Sequence, residues 1–162
     1  MSVKICMIGA TGRMGVEIIK AASLDDNCEI ASAVEYEGSP KVGIDALENA
    51  GVNSKGVIVT DDLLKAAESC DVIVDFSGAV GTKANMEKYK KAGKPLIIGS
   101  TGLDSNQTKD IEELSKDIPV ILSSNMSMGV NLLAKLTEIA AGILGEDFDI
   151  EIFEAHHKHK KD

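Results

Sequence analysis

The run Ile5-Cys6-Met7-Ile8-Gly9-Ala10-Thr11-Gly12-Arg13-Met14-Gly15 decides how the rest of the chain is read. Its four apolar residues suit a buried strand and its three glycines a sharp turn, while Met14, Ile18, Ile19 and Ala22 recur at helical spacing with Glu17 and Lys20 on the other side. Glycines between a strand and a helix let the backbone approach a ligand with no Cβ in the way. The first N–H groups of the helix then face whatever anion lies in the turn, and the natural anion is the pyrophosphate of a dinucleotide. The spacing is GxxGxxG, not the commoner GxGxxG, so the turn alone is a weak signal. Arg13 is the only arginine in the chain; its guanidinium suits phosphate oxygens, and the position suits an ordinary first-turn residue equally well.

Working outward, Glu29-Ile30-Ala31-Ser32-Ala33-Val34 reads as a second strand ending at Glu35. A right-handed crossover lays the two strands side by side and parallel, with the glycine turn and Glu35 at the same carboxyl edge. Glu35 follows the turn by about twenty residues, where a carboxylate takes the adenosine ribose hydroxyls. Strand, turn, helix, strand and acid in this order predict a nicotinamide dinucleotide, with a flavin or a nucleotide sugar as the alternatives. A cation usually meets the 2′-phosphate of NADPH just after the acid, but that position holds Tyr36, and Glu35 itself repels the phosphate. The expectation is NADH over NADPH, with Lys41 and Arg13 as cations that would blunt the preference.

Further along, residues 38–56 read as a long loop with a short helical turn at 44–48, followed by a strand at 57–59 and a helix over 61–69 with Thr60 as its N-cap. A strand at 71–76 and a helix over 82–92, stopped by Gly93 and Pro95, come next. They are followed by a strand at 96–98, a polar helix from Ser105 to about Lys116 and a strand at 119–122. Leu132, Leu133, Leu136, Ile139, Ala140, Ile143 and Leu144 form a helical stripe, and residues 148–154 alternate polar and apolar as a half-buried strand does. The alternation of strands and helices predicts an α/β fold, a Rossmann-type doubly wound parallel sheet over 1–127. The change of strand pattern predicts the start of a second α+β domain over 128–162. Small or polar loops after Ile8, Val34, Phe76, Ile98 and Leu122 would then share one crevice.

A formal net charge of −9 excludes the basic field that draws a chain to nucleic acid or to an anionic membrane, so any anion must be held locally. Aromatic content of 3% with no Trp leaves Ile, Val, Leu and Ala to build the core, as a buried parallel sheet requires. Cys6, Cys28 and Cys70 form no CxxC, and the first and last fall in strand-like runs, which suits buried small hydrophobes better than disulfides or metal ligands. No apolar run is read as membrane-spanning and no signal peptide is evident, so the expected setting is the cytoplasm.

All three histidines cluster in Glu154-Ala155-His156-His157-Lys158-His159-Lys160-Lys161-Asp162. The neighbouring lysines repel a metal cation; a solvated charged tail is one reading, and an acid/base and anion-binding loop is the other. Taken in order, Gly9–Gly15 with its Gly-Arg-Met-Gly, the Gly99-Ser100-Thr101-Gly102 loop, residues 125–131 (Asn-Met-Ser-Met-Gly-Val-Asn) and the Glu-Ala-His-His-x-x-Lys signature resemble the 4-hydroxy-tetrahydrodipicolinate reductase family of lysine biosynthesis through diaminopimelate. The resemblance covers essentially the whole chain. It implies cofactor contacts from Gly9, Ala10, Thr11, Gly12, Arg13, Met14, Glu35, Gly99, Ser100, Thr101, Ser123, Ser124, Asn125 and Met126. It also implies His156 as proton donor/acceptor, His157 as a contact to a small dicarboxylate substrate, and Lys160 as the other proton donor and a carboxylate partner. The implied reaction is NADH- or NADPH-dependent hydride transfer, the implied role of 128–162 is substrate binding and oligomerisation, and the full-length family is expected to be homotetrameric. Family members continue past the position of Asp162 with a Pro-Ser-Gly-Thr loop, so a truncated form that binds cofactor but turns over weakly or not at all is expected. Two alternatives are a dehydrogenase of other small amino-acid precursors and a non-catalytic dinucleotide sensor.

Overall fold

The structure, a computed structural model, describes residues 2–155. Two compact units meet in sequence at Ser124 and Asn125.

The first unit is built on β1 (Val3–Ile8), with α1 (Arg13–Ser23), β2 (Cys28–Val34), the short α2 (Ala46–Asn49) and β3 (Val59–Thr60) following it. The chain continues through α3 (Leu63–Ala67), β4 (Val72–Asp75), α4 (Gly78–Ala92), β5 (Leu96–Ile98), α5 (Ser105–Leu114) and β6 (Val120–Leu122). All six strands pair in parallel in the order β3-β2-β1-β4-β5-β6. The strand order reverses direction between β1 and β4, and ligands of doubly wound sheets bind at that switch point, beyond the carboxyl ends of the strands.

Alternation along β1 divides the core. Ile5 and Met7 pack on one face with Ile19 and Ala22 of α1 and Leu47 of α2. Cys6 and Ile8 pack on the other with Leu63 of α3, Tyr89 of α4 and Ile111 of α5. Both faces of the strand are therefore buried, which is why it reads as a continuous apolar run. Cys6 and Cys70 are buried and Cys28 half-buried, all three as free thiols. A hydrogen bond with Cys70, reinforced by burial, pushes the Cys6 thiol up.

Several boundaries differ from the sequence expectation for local reasons. Thr60 is not a helix cap: it pairs with Val34 as the last residue of β3, and Asp62 caps α3 by accepting from the Lys65 N–H at 3.1 Å. Helix α4 begins at Gly78, a turn before 82, because Ser77 and Gly78 are fixed from outside the helix by Asp75 and Ser100. Asp104 and Gln107 form a reciprocal capping box at the start of α5, and the Gln107 Nε2 donates to Ala79 O at 2.8 Å, joining the starts of α4 and α5.

The second unit contains α6 (Met128–Leu144) and a 3₁₀ turn at Gly145–Asp147. Ser127 is the N-cap of α6, and no residue of the helix is buried. Residues 128–147 are long and apolar enough to cross a membrane by length and composition, which the sequence reading did not register. The Lys135–Glu138 ion pair, at 2.8 Å, and the polar Asn131 and Thr137 give that helix a wet side. The expected strand at 148–154 is absent from the described residues, where Phe148, Ile150, Ile152 and Phe153 are exposed. A strand is defined by hydrogen bonds to a neighbour, and alternation alone supplies none.

Gly15 is the position on which the first helix closes. A Cβ there would overlap the carbonyl oxygen of Gly9 and crowd Ala10, both backbone atoms that cannot swing aside. Gly15→Ala is expected to destabilise the chain by about 3 kcal/mol, read from urea unfolding.

Candidate functional site

The carboxyl edge of the sheet is tied together by one backbone bond per step. The first residue after each strand donates to the last carbonyl of its neighbour: Glu35 N to Thr60 O at 2.9 Å, Gly9 N to Val34 O at 2.9 Å, and Phe76 N to Ile8 O at 3.1 Å. Gly99 N to Asp75 O at 2.9 Å and Ser123 N to Ile98 O at 3.0 Å complete the series. The five loops expected to share a crevice therefore leave one continuous edge.

At the switch point, Gly9 has φ of +75° and its α-carbon faces the backbone of Phe76 and Ser77, where a Cβ would meet Phe76 O at 3.0 Å. Gly12 is the N-cap of α1 with no side-chain cap, and no acidic residue lies in the first turn. The first N–H groups of a helix have no acceptor within it, so this end presents donors to the crevice beside the exposed Arg13 and Met14. Ala10 is fully buried and Thr11 half-buried. These features fit a pyrophosphate.

Glu35, half-buried at the end of β2, faces the same turn. Its Oε1 accepts from the Thr11 N–H and the Thr11 Oγ1–H, both at 2.8 Å. The carboxylate that the sequence places at the ribose is thus attached to the glycine turn itself, while Tyr36 beside it is exposed. Lys41 does not pair with Glu35; its Nζ donates to Asn49 Oδ1 at 3.3 Å.

On the β5 and β6 side, Ser100, Thr101, Ser123 and Ser124 line a cavity of about 430 Å³ with Leu103 and Leu122. Gly99 lies under the ring of Phe76, which occupies the space a side chain would need. Asn125 and Met126 fall in the second unit. There Asn125 Oδ1 accepts from the Ser127 N–H at 2.9 Å and its carbonyl from Asn131 Nδ2 at 3.0 Å, so the asparagine supports the start of α6. His156, His157 and Lys160 lie outside the described residues.

A buried polar network beneath these loops was not anticipated. Asp75 is fully buried and forms no ion pair among the described residues. Its Oδ1 accepts from Ser77 N at 2.8 Å and Ser77 Oγ at 2.6 Å, and its Oδ2 lies 2.6 Å from Thr82 Oγ1. Thr82 Oγ1 is also 2.8 Å from Ser100 Oγ, which accepts from Gly78 N at 3.0 Å. A carboxylate only accepts, so the one Thr82 proton goes to Asp75 and the Ser100 hydroxyl donates to Thr82 in turn. This chain fixes the loop after β4 to the loop after β5. The nearby Tyr89 hydroxyl is buried with no hydrogen-bond partner among the described residues; burial first, then the charge of Asp75, pushes that phenol well up. The one sequence signal was a charged residue closing the otherwise apolar run Val72-Ile73-Val74.

Sheet order, glycine turn and carboxylate together define a doubly wound protein of the Rossmann type. A family model described as "Dihydrodipicolinate reductase, N-terminus" matches residues 3–126, and its counterpart for the C-terminus matches residues 129–162; the chain belongs to this family. It is 46% identical over 160 residues to 4-hydroxy-tetrahydrodipicolinate reductases of Geobacter sp. (strain M21) and Geotalea uraniireducens (strain Rf4), covering 99% of this chain and 60% of each relative. The chain thus spans 60% of the length of these curated relatives. Among solved structures it resembles a dipicolinate-bound dihydrodipicolinate reductase from Paenisporosarcina sp. TG-14, with a TM-score of 0.69 and 19% identity over 86% of this chain and 54% of that one. It also resembles a myo-inositol 2-dehydrogenase from Lactobacillus plantarum, with a TM-score of 0.60 and 13% identity over 86% of this chain and 42% of that one. At these identities the two structures bear on the fold alone.

Asp75→Asn puts an amide donor opposite the donors of Thr82 or Ser77. The expected loss is about 2 kcal/mol of stability in urea unfolding, with Thr82→Val losing less because no charge is stranded.

Proposed function

We propose that this chain is the cofactor-binding part, with the catalytic signature, of an NADH-preferring 4-hydroxy-tetrahydrodipicolinate reductase. The observation that carries the reading is the Glu35 carboxylate held against the glycine turn at the switch point, beside the uncapped start of α1. Family membership and the Glu-Ala-His-His-x-x-Lys signature narrow the substrate to a cyclic imine dicarboxylate.

In this reading, Gly9 to Met14 receive the pyrophosphate, Glu35 the adenosine ribose, and the Gly99–Thr101 and Ser123–Met126 loops the nicotinamide half. When bound, the reduced nicotinamide supplies a hydride to C4 of the imine formed by loss of the 4-hydroxyl as water. His156 and Lys160 handle protons at the substrate, Lys160 also neutralises a carboxylate, and His157 contacts the substrate. The ring has to be held still for a hydride to pass over one bond length, and the Asp75–Thr82–Ser100 chain keeps two of the loops in a fixed relation. A small dicarboxylate substrate and a cytoplasmic setting belong to the same reading.

Titration of the purified chain with both reduced dinucleotides, followed by nicotinamide fluorescence, is expected to show tighter binding of NADH; tighter binding of NADPH contradicts the stated preference. In a version extended to the length of the relatives, His156→Gln and Lys160→Ala are each expected to lower kcat by about 100-fold or more with dinucleotide affinity retained. A chain that binds dinucleotide but shows no turnover in that extended form is a sensor instead.

A further inference from the structure

We propose that Thr11 is a positioning residue for cofactor choice: by clamping Glu35 Oε1 it immobilises the carboxylate at the glycine turn, and so carries part of the discrimination against a 2′-phosphate. The inference rests on the dinucleotide reading above.

A glutamate stem has three rotatable bonds, so an unclamped Glu35 could swing into solvent when a 2′-phosphate arrives, and most of the repulsion would be relieved. Here that route is closed at both ends. The backbone is pinned to β3 through Glu35 N–H to Thr60 O at 2.9 Å, and the side chain is pinned through two 2.8 Å bonds from Thr11 to one oxygen. Oε2 takes no hydrogen bond among the described residues, which leaves it as the acceptor for ribose hydroxyls. Glu35 also forms no ion pair among them, so no cation neutralises it at contact distance; Lys41 is engaged with Asn49. Of the two clamping donors, the N–H belongs to the turn and persists in any variant. The hydroxyl is the side-chain contribution, and Thr11 lies outside the buried core, so it can be changed without opening a cavity.

The test compares wild type, Thr11→Val and Thr11→Ser by fluorescence titration with NADH and with NADPH. Thr11→Val, which keeps the shape and removes the hydroxyl, is expected to bind NADH about five- to tenfold more weakly and NADPH no more weakly, so the NADH:NADPH preference falls by at least about fivefold. Thr11→Ser is expected to restore the wild-type ratio. The inference is overturned by a wild-type ratio in Thr11→Val, by loss of the ratio in Thr11→Ser, or by tighter NADH binding in Thr11→Val, which would mean that the clamp competes with the ribose. A wild-type chain that binds neither dinucleotide overturns the crevice reading, and this inference with it; wild-type binding with an unaltered Thr11→Val ratio overturns this inference alone.

Discussion

The molecule depends on how closely helix α1 approaches the turn that precedes it. Gly15 places its α-carbon where only a hydrogen fits above the Gly9 carbonyl, and Gly9 turns at positive φ against the backbone that leaves β4. Two neighbouring strands and a helix start therefore converge within one turn of chain. The turn can then present N–H groups and also hold Glu35, because Thr11 lies between the two glycines that set its backbone. Loosening the approach of α1 would misplace the anion-facing donors and the ribose-facing carboxylate together.

A second constraint spreads this order across the edge. Each loop takes its first hydrogen bond from the neighbouring strand, so no loop is placed by its own sequence alone. The Asp75 network adds side-chain ties where the backbone steps end, linking the loops after β4 and β5. Burying a carboxylate with no cation paired to it among the described residues is tolerable here because three hydrogen bonds from neutral donors, two from Ser77 and one from Thr82, satisfy its oxygens. The cost of breaking one of them is high for the same reason.

The first unit was legible because each of its elements advertises itself locally. Apolar strands, a helical stripe behind Met14 and an acid at the end of β2 are patterns within a short window, and the parallel order follows from them by handedness. For that reason the positions of Glu35, Ser100 and Ser123 just beyond their strands could be read from sequence. Asp75, Thr82 and Ser100 were not read as a unit because their partners are seven and eighteen residues apart on different elements, a relation that exists only after the sheet has formed. Thr60 was misread because the helix starts later: its backbone pairs with Val34, its hydroxyl accepts from the Asp62 N–H in a turn, and Asp62 takes the cap. Alternation at 148–154 had the period of a strand, but no strand forms there among the described residues because periodicity supplies no partner.

Helix α6 has a different standing from everything before it. None of its residues is buried, so it draws little stability from removing apolar surface from water; its backbone ladder, the Ser127 cap, the Asn131 side-chain bonds and the Lys135–Glu138 ion pair hold it. A helix so little buried is expected to lose helicity gradually with temperature, where a packed sheet melts in one cooperative step. Its apolar stripe stays accessible among the described residues, and burying it would convert a marginal helix into a firm one. The firmness of this helix is therefore set by how much of that stripe is buried, where the sheet carries its own core.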